Sequence, residues 1–334
     1  METCFPCLGA RKSRVPTPPV GATPGDPPHH RNNVAAAART FSFGELAAAT
    51  GGFRDAYLVA GRKKPSVYKG YLTSVNQAVA MKLQHLVDRD KPTEQLNSEF
   101  LARVLMLNAL RHPNVVNFIG FCAEGSHRIL VHEWMLLGSL EDHLHDPSPD
   151  KARLEWSTRM NIAAGVARAL EYLHDKGMAC RCLRTSDILL GDGDGCHAKL
   201  SQYVLVKAGQ RPDGRSDARH FADTMAPETC MTGTPTAAAD VYSFGVVLLQ
   251  MITGLRAWGA VGDQNLVAWA RPLLEDRAEF YRMADPALQG RYPPMDLQEA
   301  LAVVSMCIHQ DPAMRSPIGA VVTALARLAY HRPS

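Results

Sequence analysis

DVYSFGVVLLQMITG, residues Asp240 to Gly254, reads as a helix that is apolar on nearly every side. A helix with no polar face has no side to give to water, so it must be buried at the centre of a sizeable helical domain. Asp240 is read as its N-cap, because a carboxylate there can accept from the unpaired N–H groups of the first turn. The run is too short to span a bilayer and contains Gln250. No stretch of the chain reaches about 18 uninterrupted apolar residues, so no transmembrane helix is expected.

Around this helix the pattern stays helical. Residues 156–176 place Met160, Ile162, Ala163, Val166, Leu170 and Leu173 on one face, and amphipathic helices are expected near 264–274, 296–309 and 316–329. Before Gly138 the character differs. The runs AYLVA, SVYKGYL, QAVAMKLQHL, VVNFIGFC and HRILVHEW read as strands. They surround one helix at 94–110 with the stripe Phe100, Leu101, Val104, Leu105, Leu107 and Leu110. FSFGELAAATGGF, residues 41–53, leads in as a short helix. The expected fold is α+β with two lobes. Residues 41–136 form a small β-rich lobe with one main helix, the lead-in helix and a connector, and residues 137–330 form a larger helical lobe.

Residues 1–40 differ from both lobes. Pro16, Pro18, Pro19, Pro24, Pro27 and Pro28, with Gly, Arg and Ala, read as a disordered tail. Cys4 and Cys7 stand near Arg11, Lys12 and Arg14 and are candidate S-acylation sites. One acyl chain holds a protein only marginally at a membrane surface, whereas two hold it stably. Glu2 occupies the position where N-myristoylation needs glycine, which excludes that modification.

The chain has 334 residues, of which 46% are hydrophobic, enough for a sizeable core. Its 36 Lys and Arg against 33 Asp and Glu give a net charge of +3, and this excess lies entirely in residues 1–40. A neutral body argues against nucleic acid as a partner. The basic tail suits weak attraction to an anionic membrane. Eight cysteines show no paired zinc-ligand spacing, and no secretory apolar segment begins the chain. A reducing, cytoplasmic setting is therefore expected, with association to the plasma membrane through the tail.

The phrases VYKGYL, LMLNALRHPNVVNFIGFC, GSLEDHLHD, DVYSFGVVLLQMITG and QNLVAWARPLL together resemble a eukaryotic protein kinase domain. With the FSFGELAAATGGF lead-in, the chain is similar to the plant receptor-like cytoplasmic kinases from about Phe41 to Leu328. The resemblance implies the bilobal kinase fold, ATP and Mg²⁺ as cofactors, and other kinases or receptor-like kinases as partners in receptor-linked, including immune, signalling. It also places individual residues. Lys82 stands where the family lysine contacts the α and β phosphates. Val67, Ala80, Glu133 and Met135 stand at adenine-pocket and hinge positions, with His132 at the back of the pocket.

Other positions depart from the family. AGRKKP puts Ala60, Arg62 and Pro65 where the phosphate loop has glycines whose N–H groups approach the nucleotide. Arg103 stands where the family has a helix glutamate that pairs with Lys82, and Glu99 can pair with Arg103 one turn away. In CRCLRTSDILL, residues 180–190, Arg181 is kept, Cys182 replaces the aspartate base, Arg184 replaces a lysine and Asp187 replaces a metal-binding asparagine. A positioned base contributes about 10²–10⁴-fold, and a neutral thiol is a poor substitute for a carboxylate. Arg181 could lower the thiol's pKa, which makes Cys182 a candidate reactive thiol. Gln202 of QYV replaces the aspartate that holds Mg²⁺, leaving Asp187 as the candidate carboxylate for a metal. Ser216 and Thr224 are candidate phosphosites.

Architectural positions are retained. Glu228 and Arg315 match an ion pair that braces the large lobe, and Asp240 matches the aspartate that bonds the catalytic-loop backbone. Fold supports kept beside an altered base, metal ligand, glycine loop and helix glutamate imply a pseudokinase acting as a binding or scaffold module. The alternative is a Ser/Thr kinase of low residual activity that uses Lys82 and Asp187.

Overall fold

Alternating side chains build the smaller lobe. Its strands are β1 (Arg39–Thr40), β2 (Leu58–Ala60), β3 (Val67–Leu72), β4 (Gln77–Gln84), β5 (Phe118–Cys122) and β6 (Arg128–Glu133). Among the described residues they form one six-stranded sheet in the order β1-β5-β6-β4-β3-β2. The computed structural model describes residues 38–60, 66–84, 92–146, 153–180, 182–192, 197–202, 205–207, 223–262 and 264–330. Cys4, Cys7, Arg62, Pro65, Arg181 and Ser216 lie outside these residues.

Successive residues of a strand face opposite sides, and here each side has its own partner. Val79, Met81, Ile129 and Val131 pack with Phe41, Leu46 and Leu72, beneath the lead-in helix α1 (Phe43–Ala49). Phe118 and Leu130 pack with Phe100, Val104 and Leu107 of α2 (Thr93–Asn108). β1 adds to the sheet edge in parallel with β5. Gly120 permits that approach, since a Cβ there would lie 2.1 Å from the Arg39 carbonyl oxygen.

The larger lobe starts at β7 (Gly138–Ser139) and α3 (Leu140–Leu144), then the long α4 (Trp156–Asp175). Short strands β8 (Met178–Cys180), β9 (Ile188–Gly191), β10 (His197–Leu200) and β11 (Leu205–Lys207) follow, with a 3-10 turn at Thr185–Asp187. The rest is helical: α5 (Pro227–Thr232), α6 (Ala237–Thr253), α7 (Leu266–Glu275), α8 (Pro294–Cys307) and α9 (Ile318–Tyr330), with a small ribbon of β12 (Trp258–Val261) and β13 (Gln264–Asn265). The core runs from α4 through α6 to α8 and α9. Each fully buried Leu, Val or Phe there contributes about 1.5–3 kcal/mol.

α6 is buried along nearly its whole length. A Cβ at Gly245 would lie 2.6 Å from that of Cys307, so glycine sets the close crossing of α6 and α8. The cap differs from the sequence expectation. Thr236 is the N-cap, its hydroxyl accepting from the Ala239 N–H at 3.1 Å. Asp240 sits one turn inside, which frees its carboxylate to reach another segment. Among the described residues no helix is long and apolar enough to cross a membrane.

Candidate active site

Register on the sheet brings the first group of residues together. Val67 pairs with Lys82, Ala80 with His132, and Lys82 with Leu130, so all five face one side. That is the α2 side, where Leu130 packs. Arg103 of α2 neighbours Val104 in the same contact, and its charge acts on His132 together with that of Lys82. His132 is buried and stacks edge-on against Phe118 at 5.3 Å. Burial, reinforced by the charges of Lys82 and Arg103, holds its pKa down at about 3. His132 is therefore neutral throughout the physiological range.

The connector after β6 is tied to the larger lobe. Glu133 accepts from Lys199 Nζ of β10 at 2.7 Å and from the Asn117 N–H at 2.6 Å. Met135 is buried, and its Cε lies 3.1 Å from where a Cβ on Gly191 would stand. The Lys199–Glu133 link was not legible beforehand, because its two ends lie 66 residues apart.

The second group lies on the larger lobe. β9 and β10 pair antiparallel from Ile188 and Leu200 outward, and the Ser201 N–H donates to the Asp187 carbonyl at 2.8 Å. This ladder sets Gln202 beside Asp187. Gln202 is 1% exposed, and neither of its amide atoms makes a hydrogen bond of ordinary geometry among the described residues. Its amide lies beside His132, where it partly counters the lowering of the imidazole pKa. An amide buried without good partners is destabilising.

Asp187 is 8% exposed. Its Oδ2 accepts from the Arg184 N–H at 3.1 Å and lies 3.5 Å from Arg184 Nε. Burial pushes its pKa up to about 6, against the opposing pull of Arg184 and Lys82. Lys82 and Asp187, from different lobes, thus share one electrostatic environment.

Cys182, which the resemblance places at the base position, is 3% exposed, and its Sγ is hydrogen-bonded with Thr224 Oγ1 at 3.1 Å. Burial pushes the thiol up to about 12, and the Thr224 and Arg184 contributions that oppose it are smaller. The thiol stays protonated at neutral pH. Two expectations are corrected here. Cys182 is not an activated thiol, because burial outweighs the nearby guanidinium. Thr224 is buried against that sulfur rather than displayed as a phosphosite. As a partner of Cys182 it was missed, since nothing local marks it.

The loop is held from below. The Cys180 N–H donates to both oxygens of Asp240, at 3.0 and 2.9 Å, and His174 Nε2 lies 2.9 Å from Asp240 Oδ2. Arg315 donates to Glu228 Oε1 and Oε2 at 2.6 and 2.8 Å. Burial pushes Glu228 up, but Arg315 more than offsets it and leaves the carboxyl below its ordinary range. A third brace joins Arg159 to Asp285 at 2.7 Å.

Chemically, this region holds the Lys82 ammonium on β4 and, at Cys182, a thiol that stays protonated near neutral pH. The donor set does not fit Mg²⁺. That ion demands hard oxygen ligands in near-octahedral array at about 2.0–2.1 Å. Asp187 already engages Arg184, and Gln202 offers a buried neutral amide in place of a carboxylate. Among the described residues no group of three or more His, Cys, Asp or Glu side chains could hold a metal.

Comparison with known proteins adds to this geometry. A family model described as protein tyrosine and serine/threonine kinase matches residues 61–325. Serine/threonine-protein kinase PBL27 of Arabidopsis thaliana is 53% identical over 302 residues, covering 88% of this chain and 58% of that protein. Probable serine/threonine-protein kinase PBL7 of the same plant is 52% identical, with 88% and 79% covered. Serine/threonine-protein kinase PBS1 is 50% identical, with 88% and 65% covered. The chain thus spans between about three-fifths and four-fifths of the length of these relatives.

Proposed function

The chain belongs to the protein tyrosine and serine/threonine kinase family, and from that premise we propose that it works as a pseudokinase of the receptor-like cytoplasmic type. It acts as a binding or scaffold module that engages active kinases or receptor-like kinases in plant receptor-linked signalling, including immunity. One observation carries this reading: the base position holds a buried thiol bound to Thr224, with its pKa pushed up to about 12. Loss of a positioned base removes about 10²–10⁴-fold in rate. Changes at the base and metal positions act on one mechanism, so their effects do not add. The tail of residues 1–40 joins the module to the plasma membrane through acylated Cys4 and Cys7.

The names of the relatives favour a second reading, a Ser/Thr kinase with ATP binding and low residual activity. Lys82 in register and the carboxylate of Asp187 are the residues it would use.

A radiolabelled ATP transfer assay on the purified chain separates the two. Wild type is expected at background, with incorporation rising in the Cys182→Asp, Gln202→Asp double variant. Incorporation by wild type at the level of an active relative would overturn the pseudokinase reading in favour of the kinase.

A further inference from the structure

A cavity of about 570 Å³ opens in the larger lobe between two segments, the approach to α4 at residues 153–157 and the turn into α8 at residues 287–293. It shares no residue with the cleft around Lys82 and Cys182. Its size lies within the range of about 300–1,000 Å³ common to small-ligand sites. The walls are preformed, because both hang on the Arg159–Asp285 brace. Arg159 Nε donates to the Leu154 carbonyl of one wall at 2.9 Å, and Asp285 Oδ1 accepts from the Ala287 N–H of the other at 2.8 Å. A site fixed in advance spares a ligand the cost of ordering it.

The lining combines aromatic surface with unpaired positive charge. Trp156 and Tyr292, one from each wall, hold their ring centroids 5.8 Å apart at 44°. Such rings offer flat faces and edges against which another ring can pack. Arg153 and Arg291 also belong to opposite walls. Among the described residues neither is paired with a carboxylate, and Arg291 uses only its Nε, on the Leu288 carbonyl at 3.4 Å. Glu155 is the one acid among the described residues of the wall, so basic groups outnumber acidic ones. A guanidinium without a carboxylate partner keeps its planar fork of donors for an incoming anion.

We propose that this cavity binds a small aromatic anion, with its rings against Trp156 and Tyr292 and its acidic group held by Arg153 and Arg291. The site goes beyond the scaffold reading and does not depend on it. A chain that transfers phosphate and one that does not would carry the same cavity. Because the brace that shapes the walls also ties α4 to the segment after α6, a ligand here stabilises the native helical lobe.

Two fluorescent probes test this on the full chain, titrated well below its Tm. Anilinonaphthalenesulfonate has an aromatic body and one anionic group, and phenylnaphthylamine has the same rings without the charge. The sulfonate is expected to bind saturably. The Arg153→Ala, Arg291→Ala double variant is expected to weaken it by about tenfold or more, while changing the neutral probe by less than about twofold. Ala287→Phe fills the cavity and is expected to weaken both probes by about tenfold or more. If that variant does not fold, Ser157→Phe fills the cavity from the opposite wall. Absence of saturable binding, or binding unchanged by the filling variant, overturns the proposal. Equal effects of the arginine variant on the two probes overturn it as well, by showing that the cavity does not select for charge. Label incorporation from ATP bears on the scaffold reading alone, so the two readings fail separately.

Discussion

The braces beneath the catalytic loop and the cleft above it treat buried polar groups in opposite ways. In the braces, each of the named acids meets a hydrogen-bonding side chain at short range: Asp240 with His174, Glu228 with Arg315, and Asp285 with Arg159. Asp240 and Arg315 also satisfy backbone groups of other segments. In the cleft, Gln202 is buried without good hydrogen bonds, His132 is held neutral, and Cys182 is closed off by a hydroxyl. The contrast teaches that the two regions answer to different demands. Pairing in the braces fixes one arrangement of the helical lobe.

Removing a brace should break the contrast most. Asp240→Ala leaves the Cys180 N–H and His174 facing a cavity, and stability is expected to fall by about 4 kcal/mol in urea unfolding. Arg315→Ala strips both oxygens of Glu228 and three carbonyls of their donor, with an expected loss of about 3 kcal/mol by the same measurement. A loss below about 1 kcal/mol in either variant would show that the brace is decorative.

Changes in the cleft should be milder and differ in sign. His132 has a folded pKa of about 3 against an ordinary value of 6.5. Between those values the unfolded chain binds the proton and the native chain does not. The contribution is therefore complete above pH 6.5 and declines as pH falls toward 3, by about 1.4 kcal/mol per unit. His132→Leu should flatten this slope and gain about 2 kcal/mol on wild type between pH 7 and pH 5. Equal slopes in the two proteins would rule out a buried neutral imidazole. Gln202→Leu exchanges a poorly partnered amide for an apolar side chain of similar size, and a gain of about 1 kcal/mol is expected. A clear loss would mean that the amide is bonded in solution.

The gentlest probe leaves the core intact. In a variant with Cys4, Cys7 and Cys196 changed to serine, one thiol should react quickly with maleimide under native conditions. That thiol is exposed Cys230, while Cys122, Cys180, Cys182 and Cys307 are buried and should react only on unfolding. Prompt labelling of Cys182 would reopen the case for a reactive thiol at the base position.

Much of the fold was legible because its signals are local. The apolar run from Asp240 to Gly254 became the buried α6, and the stripe at Phe100, Val104 and Leu107 became the contact of α2 with the sheet. Cap assignment failed at α6 because both Thr236 and Asp240 are good capping residues, and sequence does not say which carboxylate is needed elsewhere. Arg181, adjacent in sequence, made Cys182 a candidate reactive thiol, yet adjacency says nothing about burial, and burial dominates the thiol's pKa.

The sequence by itself determined which residue stands at each position of the site. The resemblance to the kinase family, carried by the motifs, is what assigned Lys82, Cys182, Asp187 and Gln202 to site positions. Tertiary structure alone decided what those positions have become. Thr224 reaches Cys182 across 42 residues, and the ladder of β9 with β10 sets the Gln202 amide against His132. The charges of Lys82 and Arg103 converge on that histidine from a strand and a helix. Register follows from periodicities a few residues long, whereas burial and electrostatic environment come from segments that meet only when the chain has folded.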